Sequence, residues 1–198
     1  LERQGRSGEI EEVRQRLCTQ GTADECRTLA GLLRDAGRGE EAARWEEEAC
    51  RLGDPEGCEN VSEQRRERDG PEAAEAFLRQ NCSTDNRGGC RPLIELLLGR
   101  DEDDQALTLV FEVCAEARTS LCLGYLSSEV VRTAAESGRE EDLRTLLADL
   151  CERGHEPACY PLTELLSRPG REAELEALLR SRCVPGLVSG CRDLAELL

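Results

Sequence analysis

Twelve cysteines set the frame of this 198-residue chain. They stand at positions 18, 26, 50, 58, 82, 90, 114, 122, 151, 159, 183 and 191, six pairs with seven residues between the members of each. Successive pairs begin 32, 32, 32, 37 and 32 residues apart, a period in the range of stacked helical hairpins. Eight residues before the first cysteine of each pair stand Ile10, Ala42, Ala74, Ala106, Leu143 and Leu175; five before stand Val13, Trp45, Phe77, Leu109, Leu146 and Leu178. Both columns are apolar. Their spacing of three, with a further apolar or cysteine position four or five on, is one face of a helix whose other face carries Asp, Glu and Arg. Three residues after the second cysteine, Leu29, Val61, Leu93, Tyr125, Leu162 and Leu194 open a second apolar stripe.

Turn formers separate the two stripes: Gly21, Gly53-Asp54-Pro55, Gly88-Gly89, Gly154 with Pro157, and Pro185-Gly186. The fourth repeat, Ala115 to Leu121, has none. The pattern predicts an all-α fold of twelve antiparallel helices, a right-handed α-solenoid of six stapled hairpins. One repeat domain spans residues 1–198, with repeats near 8–37, 39–69, 71–100, 103–137, 139–168 and 171–198. The 37-residue step predicts an extra turn and a half of helix within Leu126 to Glu136.

Geometry decides what the cysteines do. Eight residues along a continuous helix place two Cα atoms about 12 Å apart, beyond a disulfide's reach, so each pair meets only across a turn. The expected bridges are Cys18–Cys26, Cys50–Cys58, Cys82–Cys90, Cys114–Cys122, Cys151–Cys159 and Cys183–Cys191. Closing such a loop contributes about 2.6 kcal/mol on the chain-entropy model. The competing reading, a thiolate metal site, requires C-x-x-C, C-x-C or Cys/His clusters; none occurs, and the chain has one histidine. No metal or cofactor is expected. Disulfides place the protein outside the cytoplasm, in the periplasm, at the cell surface or secreted.

Composition narrows the partners. Aromatic residues make up 3% and methionine is absent, so burial rests on Leu, Val, Ala and the bridges. The net charge is −16 and all 26 basic residues are arginine, which argues against nucleic acid and anionic membranes. Without lysine there is no P-loop, Schiff base or Ser-x-x-Lys nucleophile. No apolar run approaches the roughly 18 to 20 residues of a membrane span, so no membrane insertion is expected. The chain opens on Leu1 rather than methionine, as a processed or trimmed product would.

Candidate chemistry is thin. His155 lies in a stapled loop with no second catalytic signature and reads as a solvated side chain; no catalytic residue is expected. The run Asp101 to Asp104 lacks calcium-loop spacing and reads as a helix N-terminus. Gln64 and Arg65 stand where other repeats have leucines, as do Ser128 and Glu129. They mark either a thin or exposed helix face or a polar binding patch, since polar residues at core positions tend to accompany function. The ends carry apolar stripes without polar capping repeats: Ile10, Val13 and Leu17 on the first helix, Leu194, Leu197 and Leu198 on the last. They predict a head-to-tail homopolymer contact, unless Leu1 to Gly8 folds back over the first helix.

The segment Glu40 to Glu59, EEAARWEEEACRLGDPEGCE, resembles the helix-loop-helix junction of the secreted, cysteine-rich Sel-one-like repeats, relatives of the tetratricopeptide repeat. Ala42, Ala43, Trp45, Ala49, Cys50, Leu52, Gly53, Asp54, Gly57 and Cys58 are the matching positions. The other five repeats keep the cysteine spacing and apolar columns. Two departures stand out: a 32-residue period instead of about 36, and Ala30, Ser62, Ile94, Leu126, Thr163 and Ala195 where the family has glycine. The resemblance implies a non-enzymatic structural or protein-interaction scaffold. Alternatives are a head-to-tail self-assembling subunit of an extracellular filament, or a cell-wall-fragment or β-lactam-binding enzyme, since some relatives have been linked to such binding.

Overall fold

The computed structural model describes residues 2–83, 86–116, 120–167 and 169–182, and among them it is all-helical. The helices are α1 (Glu2–Thr19), α2 (Ala23–Asp35), α3 (Gly39–Arg51), α4 (Pro55–Asp69), α5 (Pro71–Gln80), α6 (Cys90–Leu98), α7 (Asp103–Glu116), α8 (Ser128–Glu136), α9 (Glu140–Glu152), α10 (Glu156–Leu166) and α11 (Glu172–Arg182), with a 3₁₀ helix at Ser120–Tyr125. The chain divides into two compact units, Leu1–Glu116 and Ala117–Leu198.

In the first unit each helix from α1 to α7 packs on its neighbour in sequence, and α4 also packs on α6. The core follows the expected stripes: Leu29 and Leu33 of α2, Ala42 and Ala49 of α3, Ala74 and Leu78 of α5, Leu93 and Leu97 of α6, and Ala106 of α7 are buried. Half-buried Trp45 packs against both the Leu29–Leu33 cluster and the group formed by Cys18, Cys26 and Ala49. In the second unit α9 packs on α8 and α10, and α10 on α11, around Val130, Leu143, Leu147, Leu150, Leu162 and Leu175.

The bridges form across turns. Cys18–Cys26, Cys50–Cys58, Cys82–Cys90 and Cys151–Cys159 have Cα separations of 4.7, 4.5, 4.5 and 5.0 Å, and Cys114 and Cys122 are disulfide-bonded too. Cys183 and Cys191 lie outside the described residues, as do Leu194, Leu197 and Leu198.

Three junctions share one design. A glycine three residues past the first cysteine takes positive φ, 95° at Gly21, 91° at Gly53 and 87° at Gly154, a region that costs other residues strain. The next residue then returns its N–H to the carbonyl just before the cysteine: Thr22 to Leu17, Asp54 to Ala49 and His155 to Leu150, at 3.3, 3.0 and 3.0 Å. This closes the first helix, and that same residue is the N-cap of the second. At the middle junction Asp54 accepts from the Gly57 N–H at 2.6 Å, and Pro55 holds the first helical position.

The fourth repeat departs from the expected lengthened helix. After Cys122 the chain runs through the 3₁₀ turn and breaks, and Ser127 caps α8 by accepting from the Val130 N–H at 3.3 Å. The buried residues of α8 are Val130, Thr133 and Ala134, each five places beyond the unshifted columns. The insertion is consumed before α8 starts, and the repeat's register then resumes.

Candidate functional site

The largest local departure from apolar packing lies where α2, α3 and α4 meet. Glu46 of α3 has no solvent exposure. Its carboxylate takes an ion pair from Arg34 of α2 and a hydrogen bond from the Gln64 amide of α4. A buried carboxylate is tolerated only when charge and hydrogen bonds replace water, and these two partners supply both. Arg65, next along α4, stacks over the Phe77 ring of α5 at 4.5 Å from the centroid and pairs with Glu47 at 3.1 Å. Gln64, which is exposed, and Arg65, which is half-buried, thus each make a contact between helices.

Glu46 lies outside the two apolar columns that stand eight and five residues before the first cysteine. The column four residues before the first cysteine reads Arg14, Glu46, Leu78, Val110, Leu147 and Leu179. From Leu78 onward every member is buried. That column therefore carries a carboxylate in a core position, the sequence counterpart of the missing leucine at Gln64.

Ser128 and Glu129 occupy no core position. Ser128 begins α8 just after the capped break, and Glu129 lies 3.9 Å from Arg132 on the same helix. Ser128 instead borders a groove of about 590 Å³ between α8 and α10. Val131 and Ala135 line it from α8, Pro157 and Pro161 from α10, and Leu126 from the preceding loop. On the α10 side Tyr160 is 77% exposed, the most exposed large apolar side chain among the described residues. The carboxylates of Glu136 and Glu164 also border the groove.

On α1, Ile10 and Val13 are 48% and 54% exposed and Leu17 is half-buried, as a stripe without an outer neighbour would be. His155 is half-buried at the N-cap of α10, and its side chain makes no cap hydrogen bond. The run from Asp101 opens α7: the Gln105 and Ala106 N–H groups both donate to the Glu102 carbonyl at 3.1 Å, and Asp103 and Asp104 fill the first turn. No cluster of three metal-ligating side chains occurs among the described residues.

Surface charge is organised into local pairs. Arg79 and then Arg100 hold the Glu75 carboxyl below its ordinary range, at 2.8 and 2.6 Å. Arg38 likewise lowers Glu41 and ties α3 to Glu11 of α1 at 2.9 Å. No helix is long and apolar enough to cross a membrane among the described residues. Compared with models of known protein families and with curated proteins, the sequence matches none.

Proposed function

We propose that the protein is an extracytoplasmic α-solenoid scaffold of disulfide-stapled, Sel-one-like hairpins that works by holding protein partners. The observation that carries this reading is the recurring junction, in which glycine, capping residue and disulfide repeat in register. Helices packed on their sequence neighbours within each unit support it, because that arrangement propagates one surface along the unit. Bridges in successive hairpins also suit an oxidising compartment.

The test is isolation of the oxidised protein from its native source under non-reducing conditions. A defined stoichiometric complex that dissociates when the bridges are reduced is expected. A protein found only alone, or one carrying free thiols when freshly isolated, would refute the scaffold role.

The exposure of Ile10 and Val13 favours a second reading, end-to-end self-association through α1. Light scattering across a concentration series tests it: assembly abolished by Ile10→Asp and Val13→Asp supports the contact, and a strict monomer at high concentration rules it out.

A further inference from the structure

We propose that the groove between α8 and α10 binds an extended peptide segment carrying arginine beside apolar side chains. The proposal rests on the scaffold reading and gives it a surface and a partner chemistry. The groove has the size of a ligand site, about 590 Å³. Its floor is apolar, from Val131 and Ala135, and suits a small aliphatic side chain.

The rim is acidic. Arg132 is engaged within its own helix, 2.6 Å from Glu136 and 3.9 Å from Glu129. Glu164 is exposed and has no basic partner among the described residues. The groove lining thus holds two carboxylates, Glu136 and Glu164, against one arginine, with Glu164 left over once Arg132 pairs with Glu136, and on a chain of net charge −16 the local field favours a cation.

Arginine fits this rim better than lysine. Its planar guanidinium can lie against the exposed Tyr160 ring and at the same time bond a carboxylate through two N–H groups. The α10 backbone adds an acceptor. Pro161 lies inside the helix and has no N–H to give the Pro157 carbonyl four residues earlier. Both prolines line the groove, so a carbonyl without its α-helical donor lies beside it and can accept from a peptide N–H or a guanidinium.

The test uses the full oxidised chain and fluorescence anisotropy with three labelled heptapeptides: arginine alternating with leucine, arginine with serine, and glutamate with leucine. Binding of the arginine–leucine peptide at least tenfold tighter than either other peptide is expected. Tyr160→Ala and Glu164→Arg should each weaken it fivefold or more, with unchanged melting temperatures because both side chains are exposed. Glu67→Arg, an equal charge change on α4, should alter it less than twofold. Equal affinity for the arginine–serine peptide, or equal loss from Glu67→Arg, would reduce the effect to net charge and overturn the proposal. So would groove variants that bind like the parent. If the native complex forms unchanged with Tyr160→Ala and Glu164→Arg, the groove assignment fails while the scaffold reading stands.

Discussion

The Gln64 side-chain amide of α4 donates to the fully buried carboxylate of Glu46 in α3. Gln64→Leu, which installs the residue type other repeats carry, should therefore destabilise the protein by about 1–3 kcal/mol, because it strips a hydrogen bond from a buried charge. Glu46→Leu combined with Gln64→Leu should recover most of that loss. Urea denaturation of the two single variants and the double variant measures the coupling; additive effects would contradict the pairing.

The staples should act one by one. Replacing Cys50 and Cys58 with alanine should lower stability by about 2–3 kcal/mol through the lost loop constraint, read as a shift in the denaturation midpoint. Mass spectrometry of the whole oxidised chain should fall about 12 Da below the reduced mass if Cys183 and Cys191 are bridged as their spacing predicts.

Gly57 allows α3 and α4 to touch at the second junction. A Cβ built there would lie 2.9 Å from the Ala49 Cβ and 3.0 Å from the Cys50 backbone nitrogen. Gly57→Ala should cost about 1–3 kcal/mol by overpacking. Asp54→Ala should cost about 1 kcal/mol, because it removes the cap on the Gly57 N–H. Thermal melts of both variants, against Gly31→Ala on a helix surface with no neighbouring atom within 4 Å, separate crowding from a general response to alanine. Gly31→Ala should be neutral or stabilising.

Glu75 gives a pH signature. Arg79 and Arg100 lower its carboxyl pKa in the folded state, so the folded protein releases this proton more readily than the unfolded chain. The resulting stability is complete above the unfolded value, about 4.3, and disappears as pH falls through the folded one. Arg100→Gln should cost about 0.5 kcal/mol at pH 7, a partly exposed pair being worth little more. That difference should vanish near pH 2. A difference that persists there would assign the loss to packing.

Much of the architecture was legible because cysteine spacing and apolar stripes report the same helices twice. The fourth repeat was harder. Apolar spacing does not show where five inserted residues go, so the stretch Leu126 to Glu136 reads as lengthened helix, whereas the chain breaks at Leu126 and Ser127 before α8 begins. Counted without a shift from Cys122, Ser128 and Glu129 fall in a core column, whereas the five inserted residues move that column to Thr133 and Ala134. Gln64 stands out in the sequence but its cause does not, since Glu46 lies on another helix and only packing brings them together. The groove beside Tyr160 had no sequence signal beyond prolines spaced four apart, Pro157 and Pro161, which also read as ordinary helix punctuation.

The short reach of each staple bears on how the chain oxidises. Twelve cysteines allow on the order of ten thousand pairings, yet in the bridges Cys18–Cys26, Cys50–Cys58, Cys82–Cys90 and Cys151–Cys159 the mate is eight residues away, and the next competitor along the chain is 24 or more. Loop-closure entropy alone favours the nearer mate about fivefold. As the polypeptide emerges N-terminus first, each thiol meets its proper mate before the following pair is exposed. Oxidation can thus proceed vectorially, hairpin by hairpin, with little need for isomerase-catalysed reshuffling.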